Sequence, residues 1–141
     1  MFLLDTDHLT ILQRQNEPEY GRLRAAMDCH SPSDFYLSLV SFPEQMLGAN
    51  AFISQAKNRS QVVRGYQMME MCLIDFSRFR VLTFDEPSAA QFELLRSGSR
   101  VGTMDLRIAA TALSHDLTVL TRNTVDFGKV PGLKIEDWAS A

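Results

Sequence analysis

Cysteine is nearly absent from this chain of 141 residues, which carries two, Cys29 and Cys72. Neither stands in a C-x-x-C pair or beside a histidine at zinc spacing, so a disulfide framework and a structural zinc site are both excluded. A reducing compartment, the cytoplasm, is expected. No apolar run is long enough to span a bilayer, and the opening Met-Phe-Leu-Leu-Asp meets an acid at residue five before a signal-peptide core can form. No membrane association is expected. Glycine is sparse, and no glycine-rich loop of the kind that cradles nucleotide phosphates is present. Positive charge is in deficit too: 14 Lys and Arg against 17 Asp and Glu give a formal net charge of −3. That balance excludes a protein that coats nucleic acid through its overall field. It leaves local patches, in which arginine far outnumbers lysine, as the means of holding a phosphate.

What is present is the composition of a packed globule, with 45% hydrophobic residues and a length that suits one core. No repeat, low-complexity tract or linker divides the chain, so residues 1–141 are expected to form a single domain. Short apolar runs alternate with helical periodicity. Strands are predicted at Phe2 to Leu4, Phe35 to Val40, Val81 to Phe84 and Thr118 to Leu120, with a last short one at Lys134 to Ile135. Helices are predicted after Asp5-Thr6-Asp7, from Pro18 to about Met27, and after Ser41-Phe42-Pro43-Glu44, which has the form of a capping box with proline near its first turn. Another starts near Gln61, with Val62, Tyr66, Met69 and Leu73 on one face. Asp85-Glu86-Pro87 opens the next, which Gly98 stops, and the last begins near Thr103 with Leu106, Ala109, Ala110 and Leu113 together. Strands separated by helices imply right-handed crossovers and an α/β fold: a three-layer α/β/α sandwich around a central, mostly parallel sheet of four to five strands.

Asp5, Glu44, Asp105 and Asp126 are expected just beyond the carboxyl ends of strands, or one short turn further. In an open parallel sheet those ends share one edge, where such folds bind ligands, so acids scattered in sequence are expected to converge. Converging carboxylates are ligands for a hard cation, Mg²⁺ or Mn²⁺. Without a phosphate loop, carboxylates and such an ion point to hydrolysis of a phosphodiester by metal-activated water. Each acid also has a purely structural explanation. Asp5 and Asp7 flank a helix start, where capping and the helix dipole favour acids. Glu44 would complete a capping box, Asp105 lies in a first helical turn, and Asp126 suits an Asx turn before Phe127. Their conjunction at one sheet edge is what carries the metal reading. Arg14, Arg22, Arg24, Arg100, Arg107 and Arg122 are candidate phosphate contacts, Arg122 foremost because it borders the acidic turn. His8, His30 and His115 show no ligand spacing and receive no role. Met46, Met68, Met69 and Met71 fill a core or line an adaptable partner groove.

Four segments in order, Leu-Leu-Asp-Thr-Asp at 3–7, Ser-Phe-Pro-Glu at 41–44, Gly-Thr-Met-Asp-Leu-Arg-Ile-Ala-Ala-Thr-Ala-Leu at 102–113 and Leu-Thr-Arg-Asn-Thr-Val-Asp-Phe at 120–127, are followed by Val-Pro-Gly-Leu at 130–133. Together they resemble the PIN domain, specifically the VapC-type ribonuclease toxins of bacterial toxin–antitoxin pairs. Each segment alone is weak; the series spans nearly the whole chain. The resemblance implies a PIN-like fold and a metal-dependent endoribonuclease, with RNA as substrate, a homodimer and a cognate small antitoxin that masks the groove. It implies Asp5, Glu44 and Asp105 as acidic ligands, Asp5 and Asp105 closest to the Mg²⁺ or Mn²⁺. Family members often carry an acid at the place of Asn123, so the amide here moves the fourth ligand to Asp126 and leaves Asn123, with Arg122, to hold water or phosphate.

Three other readings compete. Asp5-Thr6-Asp7 echoes the D-x-D opening of haloacid-dehalogenase-like phosphatases, whose first Asp is a phosphoryl nucleophile, but Leu9 stands where that motif expects Thr or Val. A response-regulator receiver domain needs a phosphoacceptor Asp after strand three and a Lys after the last strand, which Arg122 and Asn123 fit poorly. A non-catalytic α/β binding module would use the acids only to dock a basic partner.

Overall fold

Adjacent residues of a strand face opposite sides of its sheet, and in β1 (Phe2–Leu4) both Leu3 and Leu4 have no exposed surface. The first strand is therefore covered on both faces. The computed structural model, which describes residues 1–141, places β1 at the centre of a five-stranded parallel sheet of order β3-β2-β1-β4-β5. Here β2 is Phe35–Ser38, β3 Arg80–Leu82, β4 Thr118–Leu120 and β5 Ile135–Glu136. Leu3 lies beside Tyr36 of β2 and Val119 of β4, and Leu4 beside Leu37 and Leu120.

The alternation sorts the core into two layers. On one face Leu3 and Val119 pack with Leu106, Ile108, Ala109 and Ala112 of α6 (Thr103–Ser114), with Phe92 of α5 (Glu86–Arg96) at the margin. On the other, Leu4, Leu37 and Leu120 meet Leu9 and Ile11 of α1 (Thr6–Arg14) and Leu23 and Met27 of α2 (Glu19–Met27). Burying each large apolar side chain contributes roughly 1.5–3 kcal/mol, and the alanines of α6 let that helix approach the sheet closely. The expected α/β/α sandwich is what forms.

Three sequence expectations are corrected. As the order of predicted elements has it, helices α3 (Ser41–Ser54) and α4 (Arg59–Arg78) follow one another without a strand between, as do α5 and α6; what is corrected is the place of Asp105. Asp105 therefore follows no strand; it reaches the sheet edge from the second helix of a hairpin. In the α3–α4 pair a Cβ on Gly65 would collide with Ile53 Cγ1, so glycine allows this approach. Strand β2 ends at Ser38, two residues before expected, and Ser41 already lies inside α3, capped by Val40 with no side-chain bond. The capping box does not form, because Glu44 finds a tertiary partner instead. Finally, residues 124–127 are a four-residue helix, α7 (Thr124–Phe127), capped by Asn123, whose Oδ1 accepts from the Asp126 N–H at 3.4 Å. The Asx geometry belongs to Asn123 rather than to Asp126.

Candidate active site

Strands run outward from β1 through β2 to β3 on one side and through β4 to β5 on the other, so the boundary between β1 and β4 is the topological switch point at which doubly wound sheets bind ligands. A receiver domain of flavodoxin-like order would place β1 between β2 and β3, so the strand order excludes that reading. Asp5 leaves β1 here, its N–H donating to the Leu120 carbonyl at 3.1 Å. Its side chain caps α1, Oδ1 accepting from the His8 N–H at 2.8 Å. The capping explanation is thus correct as far as it goes. Burial pushes the Asp5 carboxyl up to about 6, against the opposing hydrogen bonds from the His8 N–H and the Thr121 side chain.

Three other elements supply the remaining acids. Helix α3 presents Glu44, whose Oε2 accepts from Thr6 Oγ1 at 2.7 Å; the same hydroxyl lies 2.9 Å from Ser41 Oγ. Thr6 follows Asp5, so this contact fastens α3 to the start of α1. Asp105, in the first turn of α6, is raised above the ordinary carboxylate range, first by burial and then by the negative charges of Glu44 and Asp126. Asn123 sits between α6 and α7: its Nδ2 donates to Asp126 Oδ2 at 3.1 Å and reaches Asp105 Oδ2 at 3.5 Å. Lys129 stands at the rim, its Nζ 3.6 Å from Asp126 Oδ1. Asp105, Asp126 and Asn123 are thus in contact, with Glu44 close enough for its charge to act on Asp105, and Asp5 precedes Thr6, the partner of Glu44; the ligand atoms that lie within 4.8 Å of one another are those of Asp5, Asp7 and His8.

The other flank of Asp5 is organised differently. Asp7 accepts two hydrogen bonds from Arg122, from Nε at 2.8 Å and Nη2 at 2.6 Å, and this pairing holds its carboxyl well below the usual range. Arg122 thus engages its Nε and Nη2 with a carboxylate while its side chain stays 41% exposed. The second acid of a D-x-D phosphatase motif is likewise engaged. His8, assigned nothing from sequence, is fully buried against this pair, with Nδ1 3.7 Å from Asp5 Oδ1 and 3.6 Å from Asp7 Oδ2. Its Nε2 accepts from the Trp138 N–H at 3.4 Å, which leaves the ring proton on Nδ1. Its Nδ1 is buried without a hydrogen-bond partner, and with one oxygen each of Asp5 and Asp7 it forms a group of ligand atoms within 4.8 Å of one another. Thr6, Thr121 and His8 were invisible as site residues in sequence; only their adjacency to Asp5 or to the end of β4 hinted at them.

The charged groups that act on Asp105 are the carboxylates of Glu44 and Asp126, which raise its pKa, while Asn123 turns its Nδ2 toward Asp105 and Asp126. A set carrying more negative charge than its own cations balance, built of hard ligands, fits Mg²⁺, Mn²⁺ or another hard divalent ion and does not fit zinc.

Residues 3–133 match the PIN domain family. Among proteins of known name, the chain is 33% identical to the tRNA(fMet)-specific endonuclease VapC of Salmonella typhimurium over 97% of each chain, and 34% identical to toxin FitB of Neisseria gonorrhoeae over 90% of this chain and 91% of that one. Among solved structures it is similar to FitAcB from Neisseria gonorrhoeae, with a TM-score of 0.74 at 30% identity and 97% of each chain covered. DNA-bound VapBC from Salmonella typhimurium gives a TM-score of 0.72 at 31% identity, again over 97% of each chain. With sheet order, acid placement and these likenesses in agreement over nearly its whole length, the chain belongs to the PIN domain family.

Proposed function

We propose that residues 1–141 act as one metal-dependent endoribonuclease domain, the toxin of a toxin–antitoxin pair working on RNA in the cytoplasm. The observation that carries this reading is Asp105 at the switch point, under the negative charges of Glu44 and Asp126 and bridged to Asp126 by the Asn123 amide. Two carboxylates about 4 Å apart repel by about 4 kcal/mol at an effective dielectric near 20, so such a group favours the capture of a cation. Asp5, Glu44, Asp105 and Asp126 would hold it, as Mg²⁺ or Mn²⁺. When bound, the ion supplies a water of lowered pKa and neutralises charge on the scissile phosphate.

The side chains around it have separate tasks. Asn123 holds the Asp105 and Asp126 carboxylates at a fixed spacing. Thr6 fixes one oxygen of Glu44 and leaves the other to orient the attacking water and accept its proton. Burial of Asp5, 5% exposed, keeps bulk water from the sheet side of the site. Arg122 fixes Asp7 and lends its charge to the approach of the RNA backbone. The names of the relatives, an endonuclease acting on tRNA and a toxin, support RNA as substrate. The toxin–antitoxin complexes among the similar structures support an antitoxin partner. Exposed Leu47 of α3 and Val62, Val63, Tyr66 and Leu73 of α4 form the apolar surface we assign to protein partners, the antitoxin and a second copy in a homodimer.

The test is cleavage of RNA by the purified chain with Mg²⁺ or Mn²⁺ and with chelator. Cleavage that needs the ion, and is lost in Asp105→Asn, supports the reading. RNA left intact with either ion, or cut equally well in chelator, overturns it.

A further inference from the structure

Beside the acids, between the α5–α6 connection and the segment after α7, lies a cavity of about 460 Å³. Leu95, Leu106 and Val130 form its apolar wall, and Arg100, Lys129 and Ser97 its polar rim. Two of its lining residues border the site already described: Leu106 follows Asp105 along α6, and the Lys129 ammonium lies 3.6 Å from Asp126 Oδ1. We infer that this cavity binds one nucleotide of the RNA next to the cleaved linkage, with its phosphate on Arg100 and its ribose and base along the apolar wall. The inference rests on the nuclease reading and names the part of the substrate that this second chamber takes.

Size, lining and charge each support it. The volume lies within the range of about 300 to 1,000 Å³ typical of pockets that take small molecules. An apolar wall with a cationic rim suits a ligand that is anionic at one end and flat and weakly polar at the other, which describes a nucleotide and not a bare metal ion. Four carboxylates in a chain of net charge −3 repel a polyanion, so RNA needs cations beside the acids to approach. Arg122 is engaged with Asp7, and Arg107 lies over the Phe92 ring at 5.5 Å. Arg100 is exposed and pairs with no carboxylate. The loop that carries it is already shaped: Gly98 adopts φ 74°, and Ser99 Oγ accepts from the Val101 N–H at 3.2 Å. Little ordering is then needed on binding.

Arg100→Glu, Arg100→Lys and Ser97→Trp test this without touching an acid. Binding of a fluorescent single-stranded oligoribonucleotide is measured in chelator, and kcat and KM separately with Mn²⁺. Arg100→Glu is expected to weaken binding by tenfold or more and raise KM, with kcat within about twofold. The slope of log affinity against log salt should fall in magnitude by about 0.7, the value of one single-strand phosphate contact. Arg100→Lys should restore the slope. Ser97→Trp, which fills the cavity, should raise KM with the slope unchanged. If Arg100→Glu and Ser97→Trp bind and cut RNA as the wild type does, or impair only antitoxin binding, the nucleotide site is overturned while the nuclease reading stands. If the wild type binds RNA through Arg100 but never cuts it with Mn²⁺, the site stands and the nuclease reading falls. A wild type that neither binds nor cuts overturns both.

Discussion

Asp7 and Asp105 stand on opposite flanks of Asp5, and their carboxyl groups are displaced in opposite directions. Arg122 beside Asp7 draws its pKa down, whereas burial and the charges of Glu44 and Asp126 push that of Asp105 up. On the Asp7 side every charge has its counter-charge, so nothing more is required for stability. On the Asp105 side the native chain holds like charges together against their repulsion. Like charges held together in this way mark a candidate functional site. The first flank is architecture and the second is where the proposed ion would sit, although both are acids at the same sheet edge.

The sharpest way to break this contrast is Asp105→Asn. RNA cleavage with Mn²⁺ should fall by about 10³-fold or more, since a ligand to a catalytic metal supports several kcal/mol of transition-state stabilisation. In chelator the same protein should melt higher than wild type, because repulsion has been removed, and Mn²⁺ should no longer raise its melting temperature. Equal Mn²⁺-induced shifts in both proteins would show that the acids do not hold the ion.

Asp5 lies between the flanks and is tested by pH. Its native pKa of about 6 exceeds its ordinary value of 3.8, so it favours the folded state fully below about pH 4, and that contribution is lost as pH rises through 6. Asp5→Asn retains a good N-cap and removes the titration. Chemical denaturation in chelator should show the wild type losing up to about 3 kcal/mol more than the mutant between pH 4 and 7, at about 1.4 kcal/mol for each tenfold difference in proton affinity between the folded and unfolded chain. Parallel pH profiles would remove the buried-acid account of Asp5.

Glu44→Gln keeps an oxygen for the Thr6 hydroxyl and loses only the charge. Activity should fall by about 10²-fold, the scale of a positioned general base, with stability within about 0.5 kcal/mol of wild type. An unimpaired rate would leave Asp5, Asp105 and Asp126 as the working acids.

The smallest effect belongs to the balanced flank. Arg122→Ala breaks a pair that is partly open to solvent, with side-chain exposures of 41% and 34%, so the loss of stability should be about 1 kcal/mol or less. Because Asp7 is depressed in the native state, its contribution is present above the unfolded value of about 4 and is lost only as pH falls through the depressed native value, so the gap between mutant and wild type in urea should hold above about pH 4 and close progressively in stronger acid. A loss that persists in acid would mean that Arg122 acts through packing instead.

The elements themselves were legible in the sequence wherever a local rule decides them. Phe2–Leu4 and Thr118–Leu120 are apolar runs, Asp85 is an N-cap whose side chain accepts from the third residue on, and the alanine face of α6 is periodic. Glu44 shows where local rules stop. Ser-Phe-Pro-Glu satisfies the pattern of a capping box, yet Glu44 turns to Thr6, 38 residues away, because a charged oxygen gains more from a hydroxyl placed by another helix than from its own backbone. The same holds for Arg122, adjacent in sequence to the acidic turn but drawn to Asp7, 115 residues away. Sequence alone determined the layers and nominated the acids, since periodicity, capping and residue chemistry are properties of neighbouring positions. Tertiary structure alone decided which acids are neutralised and which are left to repel, because pairing and burial depend on distances across the β1–β4 boundary that no local pattern encodes.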